Sequence, residues 1–495
     1  MNRGTRVEKK NNTVIIYIVL ALAPLLGAAL LLLKYRIGVG ELSFFNSPWN
    51  DELSYYKQIE GVINYGIPKG FFGYNESRAA IGTFGPWSPI LLLPYAVVGR
   101  IIGLGFYQIF AFNLLICSLA IVGISLFLKL NWKAAAAIAG LFALNANTIR
   151  YTMSISPEIV IMICALWMFA FLYKYEECQE ERYINGFMIL MICLTLARGY
   201  YAIFCLTGVI IARKRKKKVI TAISAMLSAV LYLGIVHFFC SPYFRPLINM
   251  ELIELLWKSP MAFVTSGVDI IINGFKKMPD FINEMVKFGS FGAVYYILSG
   301  AVIVISLLAG LVKRSKTIIL SVINFVLMVM AIWLLYDVET AIRHLMGLVL
   351  ALAAVSFIIL AKRSGAAQVF TIIFLASTFF LTFFGETDFV IRPPQADVLL
   401  ESDIDNTTFD IEYAKDGWEN TVIWSISCDY RYLYALPKGA GINLCTEDYI
   451  YENAGNLKSR YIVINSDNEG LKKAAEDNGW TDVEEIGAVS IYATR

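Results

Sequence analysis

The chain has 495 residues, of which 58% are hydrophobic and 16% charged, and its net charge is +3. Soluble domains carry about a quarter charged residues; the deficit lies in repeated apolar runs of near-spanning length, which excludes a soluble protein and identifies a polytopic membrane protein. The small net charge hides a split, since residues 385–495 hold 21 acids against 9 bases, a net of −12, and the remainder carries +15.

That asymmetry predicts a basic membrane body, 1–384, followed by an acidic, water-exposed tail, 385–495. No nucleic-acid-binding patch is present. The first apolar run, 13–33, follows Arg3, Arg6, Lys9 and Lys10. The N-terminus is therefore expected in the cytoplasm. The run is too long for a signal-peptide core and lacks a small-residue cleavage site, so it reads as a retained anchor.

A first outer loop, about 34–105, comes next. In SPWNDELSYYKQI, Ser47 and Pro48 suit a helix start. Asp51 and Glu52 then fall where the helix dipole favours anions. Leu53, Tyr56, Ile59 and Ile63 form an apolar stripe expected to rest on the bilayer surface. On local sequence alone, both acids also suit a solvated helix end. The loop adds Glu60, Glu76 and Arg78. Its GPWSPILLLPYAVVGR, with three prolines and Arg100, is a poor span and a good interfacial helix.

Crossings are expected at 106–130, 134–151 and 157–173, with the short outer turn Ser154-Ile155-Ser156-Pro157-Glu158 before the last of these. The run 184–212 is interrupted by Ala197-Arg198-Gly199-Tyr200 and reads as two short helices. RKRKKK at 213–218 marks the cytoplasmic side. Then come a crossing at 219–240, a second large outer loop at 241–292, and crossings at 293–312, 317–335, 345–361 and 367–384. The total is about eleven. KRSK and Lys362-Arg363 fall inside and YDVETAIRH outside. In the tail, TVIWSIS, RYIVINS and AVSIYAT read as strands and EGLKKAAEDNGW as a helix ending at Gly479. The expected fold class is thus an all-α polytopic membrane body with surface helices, plus a small α/β extracytoplasmic domain.

The outer turns collect Glu158, then Arg198 with Tyr200 and Tyr201, then Arg343 and His344. Arginine near a bilayer is costly unless paired or wetted, which makes each such residue a functional candidate. The plain alternative is interfacial snorkelling. His237 lies in an apolar run and reads as packed. The eight cysteines show no metal spacing. Cys428 and Cys445 suit a disulfide if the tail is extracellular. Cations beside carboxylates fit a phosphate-linked donor: the cations meet the phosphates and a carboxylate takes a proton from an acceptor hydroxyl.

These motifs resemble the GT-C superfamily of polyprenyl-phosphate-sugar-dependent glycosyltransferases, nearest in pattern to protein O-mannosyltransferases and bacterial aminoarabinose transferases. NDELSYY matches the acid pair of the family's first outer loop, and GPWSPILLLPYAVVGRIIG its second surface helix. RYTMSISPE is similar to its second outer loop, LARGYYAIF to its broken helix pair, and AIRHLMGLVLAL to its late helix start. The family's Lys-Pro-Pro or His-Pro-Pro element is absent; TFGPWSP stands there.

The resemblance implies an outward-facing active site in which Asp51, with Glu52, activates the acceptor. Arg198, Arg343, His344 and Tyr200 would meet the donor phosphates, and Glu76, Arg78 and Glu158 would line the acceptor cavity. The implied partners are a polyprenyl-phosphate-linked sugar, a glycan, lipid or protein acceptor, and membrane lipids. Metal use varies across the superfamily, so a divalent metal stays open, although two histidines argue against a histidine-rich site. The alternatives are a flippase or transporter of lipid-linked sugars, a glycan polymerase using a diphosphate-linked donor, and a scaffold displaying the tail.

Overall fold

The computed structural model describes residues 3–41, 51–66, 72–76, 88–239, 250–287, 291–335, 342–361 and 365–384, then 409, 418 and 421–495. Arg78 lies outside these, as do Ser47, Pro48, Asp337, Glu339 and the side chains of Asp51 and Arg343.

The body is helical. Its elements are α1 (Arg3–Tyr35), α2 (Asp51–Tyr65), α3 (Leu93–Ile102), α4 (Phe106–Leu128), α5 (Trp132–Leu144), α6 (Ala146–Thr152), α7 (Glu158–Cys178), α8 (Glu181–Ala197), α9 (Cys205–Ile211) and α10 (Arg215–Phe239). After them come α11 (Met250–Lys258), α12 (Pro260–Lys287), α13 (Phe291–Lys313), α14 (Lys316–Leu335), α15 (Met346–Ala361) and α16 (Ala366–Phe384). Among the described residues, five helices have the length and apolarity of a membrane span, and six shorter apolar helices accompany them. Eleven crossings are not fixed by these lengths.

The bundle is organised around α15, every residue of which is buried. Its run GLVLALAAVSFIILA carries no ionisable group, so a fully enclosed position costs it nothing in desolvated charge. A Cβ at Gly347 would stand 2.8 Å from the Glu158 carbonyl oxygen and 3.0 Å from the Met162 amide nitrogen. Glycine there lets α15 meet the first turn of α7 backbone to backbone. By contrast, α10 turns Val219, Ile223, Leu227, Val230 and Leu231 outward, as a lipid-facing helix does.

Two spans break where polar residues interrupt them. The expected crossing 134–151 divides at Asn145, whose Oδ1 accepts from the Asn147 and Thr148 amides, both at 3.1 Å, and so caps α6. Thr382 of α16 seals the break, accepting from the Ala146 amide at 3.0 Å and donating to the Leu144 carbonyl at 2.8 Å. The second break is at Arg198, as expected. Its backbone is extended, and a 3-10 turn, Gly199–Phe204, follows. A Cβ at Gly199 would press 2.6 Å from the Tyr232 ring of α10, so only glycine fits the chain there.

The tail builds the expected strands β2 (Thr421–Ser425), β4 (Tyr461–Asn465) and β6 (Val489–Ala493), with β3 (Gly441–Cys445) and β5 (Thr481–Ile486) besides. The helices α17 (Glu447–Asn453) and α18 (Glu469–Asp477) cover one face, and Gly479 closes α18 at φ +68°. The sixth strand comes from elsewhere. β1 (Phe72–Tyr74), in the first outer loop, pairs parallel to β3, and the sheet order is β1-β3-β2-β4-β6-β5. The boundary at 385 therefore divides the chain in sequence but not in the fold.

The stripe on α2 also needs correcting. Leu53 and Ile59 are completely buried and Tyr56 nearly so. Tyr56 stacks on Tyr434 with ring centroids 5.4 Å apart. The stripe packs against the tail's sheet domain at Tyr56 and against α3 at Ile63, not on the bilayer surface. It is α3 that exposes Leu93, Val97, Ile101 and Ile102. His237, expected to be packed, is exposed. Cys428 and Cys445 are free, buried thiols rather than a disulfide; burial pushes the Cys445 thiol up to about 12.

Candidate active site

Four segments distant in sequence meet through buried charge. Glu52 in the first turn of α2 pairs with Arg150 of α6 at 2.8 Å, each side chain 3% exposed. Its other oxygen accepts from the Ile155 amide at 3.4 Å. Three residues on, at the first position of α7, Glu158 pairs with Arg198 at 2.6 Å and also accepts from the Ser156 hydroxyl. Arg198 is wholly buried. Its Nη1 donates to the His344 carbonyl at 2.6 Å and lies 3.4 Å from the Tyr200 hydroxyl.

The turn between Arg150 and Glu158 thus holds both pairs. Asn113 of α4 fixes this turn by donating to the Ser154 carbonyl at 2.6 Å. Tyr95 of α3 donates to Asn113 at 3.0 Å and lies within electrostatic reach of both Glu158 and Glu52. A buried charge is tolerated only when paired and hydrogen-bonded. Two such pairs in one layer form a rigid polar shelf, not a set of helix ends in water.

This geometry redistributes the expected roles. Both Glu52 oxygens are engaged, so Glu52 positions α2. Asp51 precedes it by one residue as the first residue of the helix. Arg198, expected at the donor phosphates, has both terminal nitrogens turned onto Glu158 and the His344 carbonyl; it clamps α7 and the helix break to the turn Ile342–Leu345, which carries Arg343. Tyr200 joins the same clamp, 3.4 Å from the His344 carbonyl. Glu158, expected in the acceptor cavity, is the counter-ion of Arg198.

Glu76 lies elsewhere. It is 1% exposed, and its carboxylate accepts from the Lys458 and Ser459 amides, the Ser459 hydroxyl at 2.7 Å and the Tyr449 hydroxyl at 3.2 Å. It locks β1 to the tail's sheet and is not a cavity acid. Burial, and then this carboxylate, push the Tyr449 phenol up.

Arg150 enters the sequence reading only as the first letter of RYTMSISPE. An arginine at the end of an apolar run was its signal. Lys57 was missed altogether. It is buried on α2, bridges Glu60 at 3.1 Å and donates to the Leu436 carbonyl at 2.6 Å. Burial lowers its ammonium pKa, and Glu60 opposes the shift. With Tyr65 donating to the Lys438 carbonyl at 2.8 Å, it pins α2 to the tail. Among the described residues, no group of three His, Cys, Asp or Glu side chains is placed to hold a metal ion.

No family profile matches this sequence, and no curated protein matches it. Solved structures do. The crystal structure of ArnT from Cupriavidus metallidurans bound to undecaprenyl phosphate superposes with a TM-score of 0.52 at 10% identity, covering 97% of this chain and 98% of that one. ArnT from the same organism in the apo state matches at 9% identity over 90% and 93% of the two chains, with a TM-score of 0.48. The likeness to the undecaprenyl-phosphate-bound structure runs through the membrane body and the tail together, and on it this chain shares the fold of that ArnT.

Proposed function

We propose that the protein is a membrane glycosyltransferase that moves a sugar from a polyprenyl-phosphate carrier to a hydroxyl acceptor on the extracytoplasmic face. The observation that carries this reading is the polar shelf itself: two buried ion pairs fix the start of α2 and the turn before α15, in a fold shared with a protein crystallised on undecaprenyl phosphate. The N-terminus lies in the cytoplasm and the tail domain outside, an orientation supported by the cationic runs at 213–218, 313–316 and 362–363.

In this reaction the acceptor oxygen attacks the anomeric carbon as Asp51 takes its proton. The bond from that carbon to the phosphate oxygen breaks, and the electron pair leaves with the polyprenyl phosphate. One base and one direct displacement give inversion. Asp51 stands where α2 begins, so the helix dipole favours its anionic form. Glu52, tied to Arg150, fixes the direction of that first turn. Arg343 meets the departing phosphate, and Arg198 positions it by holding the neighbouring His344 carbonyl. The gain comes from cations already in place when charge develops on the leaving group.

The test is transfer of label from polyprenyl-phosphate sugars to membrane glycan by wild type and Asp51→Asn at equal expression. Asparagine keeps the shape and a capping oxygen but takes no proton. Transfer should fall by roughly 10²–10⁴-fold, the worth of a general base, while the unfolding midpoint stays put. Normal transfer by Asp51→Asn removes Asp51 as the base. No transfer by wild type with any donor, under conditions where it is folded, overturns the glycosyltransferase reading.

A further inference from the structure

We infer that the protein holds an anionic phospholipid in a groove between α5, the end of α15 and the start of α16, at the end of the bundle opposite the polar shelf. The groove has a volume of about 220 Å³. Its cause is legible in the sequence. α5 opens with WKAAAA, and Ala136 and Ala137 present methyl groups where larger residues would close the gap to Ile372 and Leu375. Close-packed interiors leave few spaces this large, and an apolar slot open to the bilayer suits an acyl chain.

The mouth is polar and cationic. Lys133 Nζ lies 3.4 Å from Gln368 Oε1 and 5.8 Å from the Trp132 ring centroid. Trp132 is 66% exposed. Tryptophan and lysine at one helix start mark the headgroup level.

Charge selects the headgroup. At this end of the bundle Lys174 and Lys313 meet Glu177, and Lys217 meets Glu181. Among the described residues no carboxylate neutralises Lys133. A positive charge above an apolar slot is complementary to a phosphate joined to an acyl chain. A zwitterionic headgroup brings its own cation to the same place and gains less.

The test counts lipids on the intact protein by native mass spectrometry after exchange into phosphatidylglycerol or phosphatidylcholine. It involves no sugar transfer, so it stands or falls apart from the proposed enzyme activity. Ala136 is exposed, so Ala136→Phe fills the slot without entering the core. That variant should carry one phosphatidylglycerol fewer than wild type. Anionic lipid held by the cationic run at 213–218 is common to both and cancels. Lys133→Gln should keep the site but lose about fivefold in preference for phosphatidylglycerol over phosphatidylcholine, the share one lysine contributes at an anionic surface. Equal lipid counts in wild type and Ala136→Phe overturn the site. An unchanged preference in Lys133→Gln overturns the choice of headgroup. Displacement of the lipid by millimolar inorganic phosphate would show a free-anion site instead.

Discussion

Arg198→Met is expected to be the most damaging single substitution in the membrane body. It leaves Glu158, with 8% of its side chain exposed, facing no cation. Stranding one member of a buried pair costs about 3–5 kcal/mol, a large part of the roughly 5–15 kcal/mol that holds a folded protein together. Thermal unfolding in detergent should show a sharply lower midpoint and poor recovery of monodisperse protein. Adding Glu158→Gln should restore much of the stability, because the uncompensated charge goes as well. It should not restore function. The His344 carbonyl has lost its short bond from Arg198, and the 3.4 Å one from Tyr200 holds the turn that presents Arg343 more weakly. A double variant that is stable yet inactive separates positioning from folding. A single variant that unfolds like wild type would show that the pair carries no net stability.

Glu76→Gln is expected to detach the first outer loop from the tail's sheet. The carboxylate receives four donors, two backbone amides and two hydroxyls. An amide in its place keeps the shape but turns a donor toward donors. Each buried group left without a partner costs about 1–3 kcal/mol, so the loss exceeds that of an ordinary surface change several times over. Glu76 also sits at φ +46°, a conformation few side chains adopt, so the local backbone has little reason to stay once the bonds go. Limited proteolysis should open a new cleavage site within 66–88, and hydrogen exchange should rise in β1 and β3. Helices α7 and α8 should keep their protection. Unchanged cleavage would mean that the parallel pairing of β1 with β3 holds the loop by itself.

Much of this fold was legible, because apolar runs and cationic clusters alternate along the body. Helix α7 and the break at Arg198 lie where hydropathy and an intruding arginine put them. The division of α5 from α6 was missed because Asn145 interrupts the apolar run without adding charge. The burial of α2 was missed for a different reason. A stripe of Leu53, Tyr56 and Ile59 reads the same against lipid as against protein, and its partner, Tyr434, lies hundreds of residues away. β1 is only three residues long, too short for any periodicity to show. At the site, the residue types were legible but their pairing was not. Sequence put Arg198 and Glu158 on one face; only the fold joins them. Glu76 looked like a cavity acid because loop acids near an active site are indistinguishable until their hydrogen-bond donors are known.

The strand borrowed from the first loop also sets an order of assembly. Phe72 is made roughly 370 residues before Ile442, against which it pairs. At about 5–20 residues per second, that wait is on the order of 20–70 seconds. Throughout it β1 has no strand to pair with and Tyr56 of α2 lacks Tyr434, although α3 and Arg150 are already made. Closure of the sheet is thus deferred to the end of synthesis: Glu52 can meet Arg150 once a further 98 residues are made, but the first outer loop is fastened at β1 only after the last domain is complete.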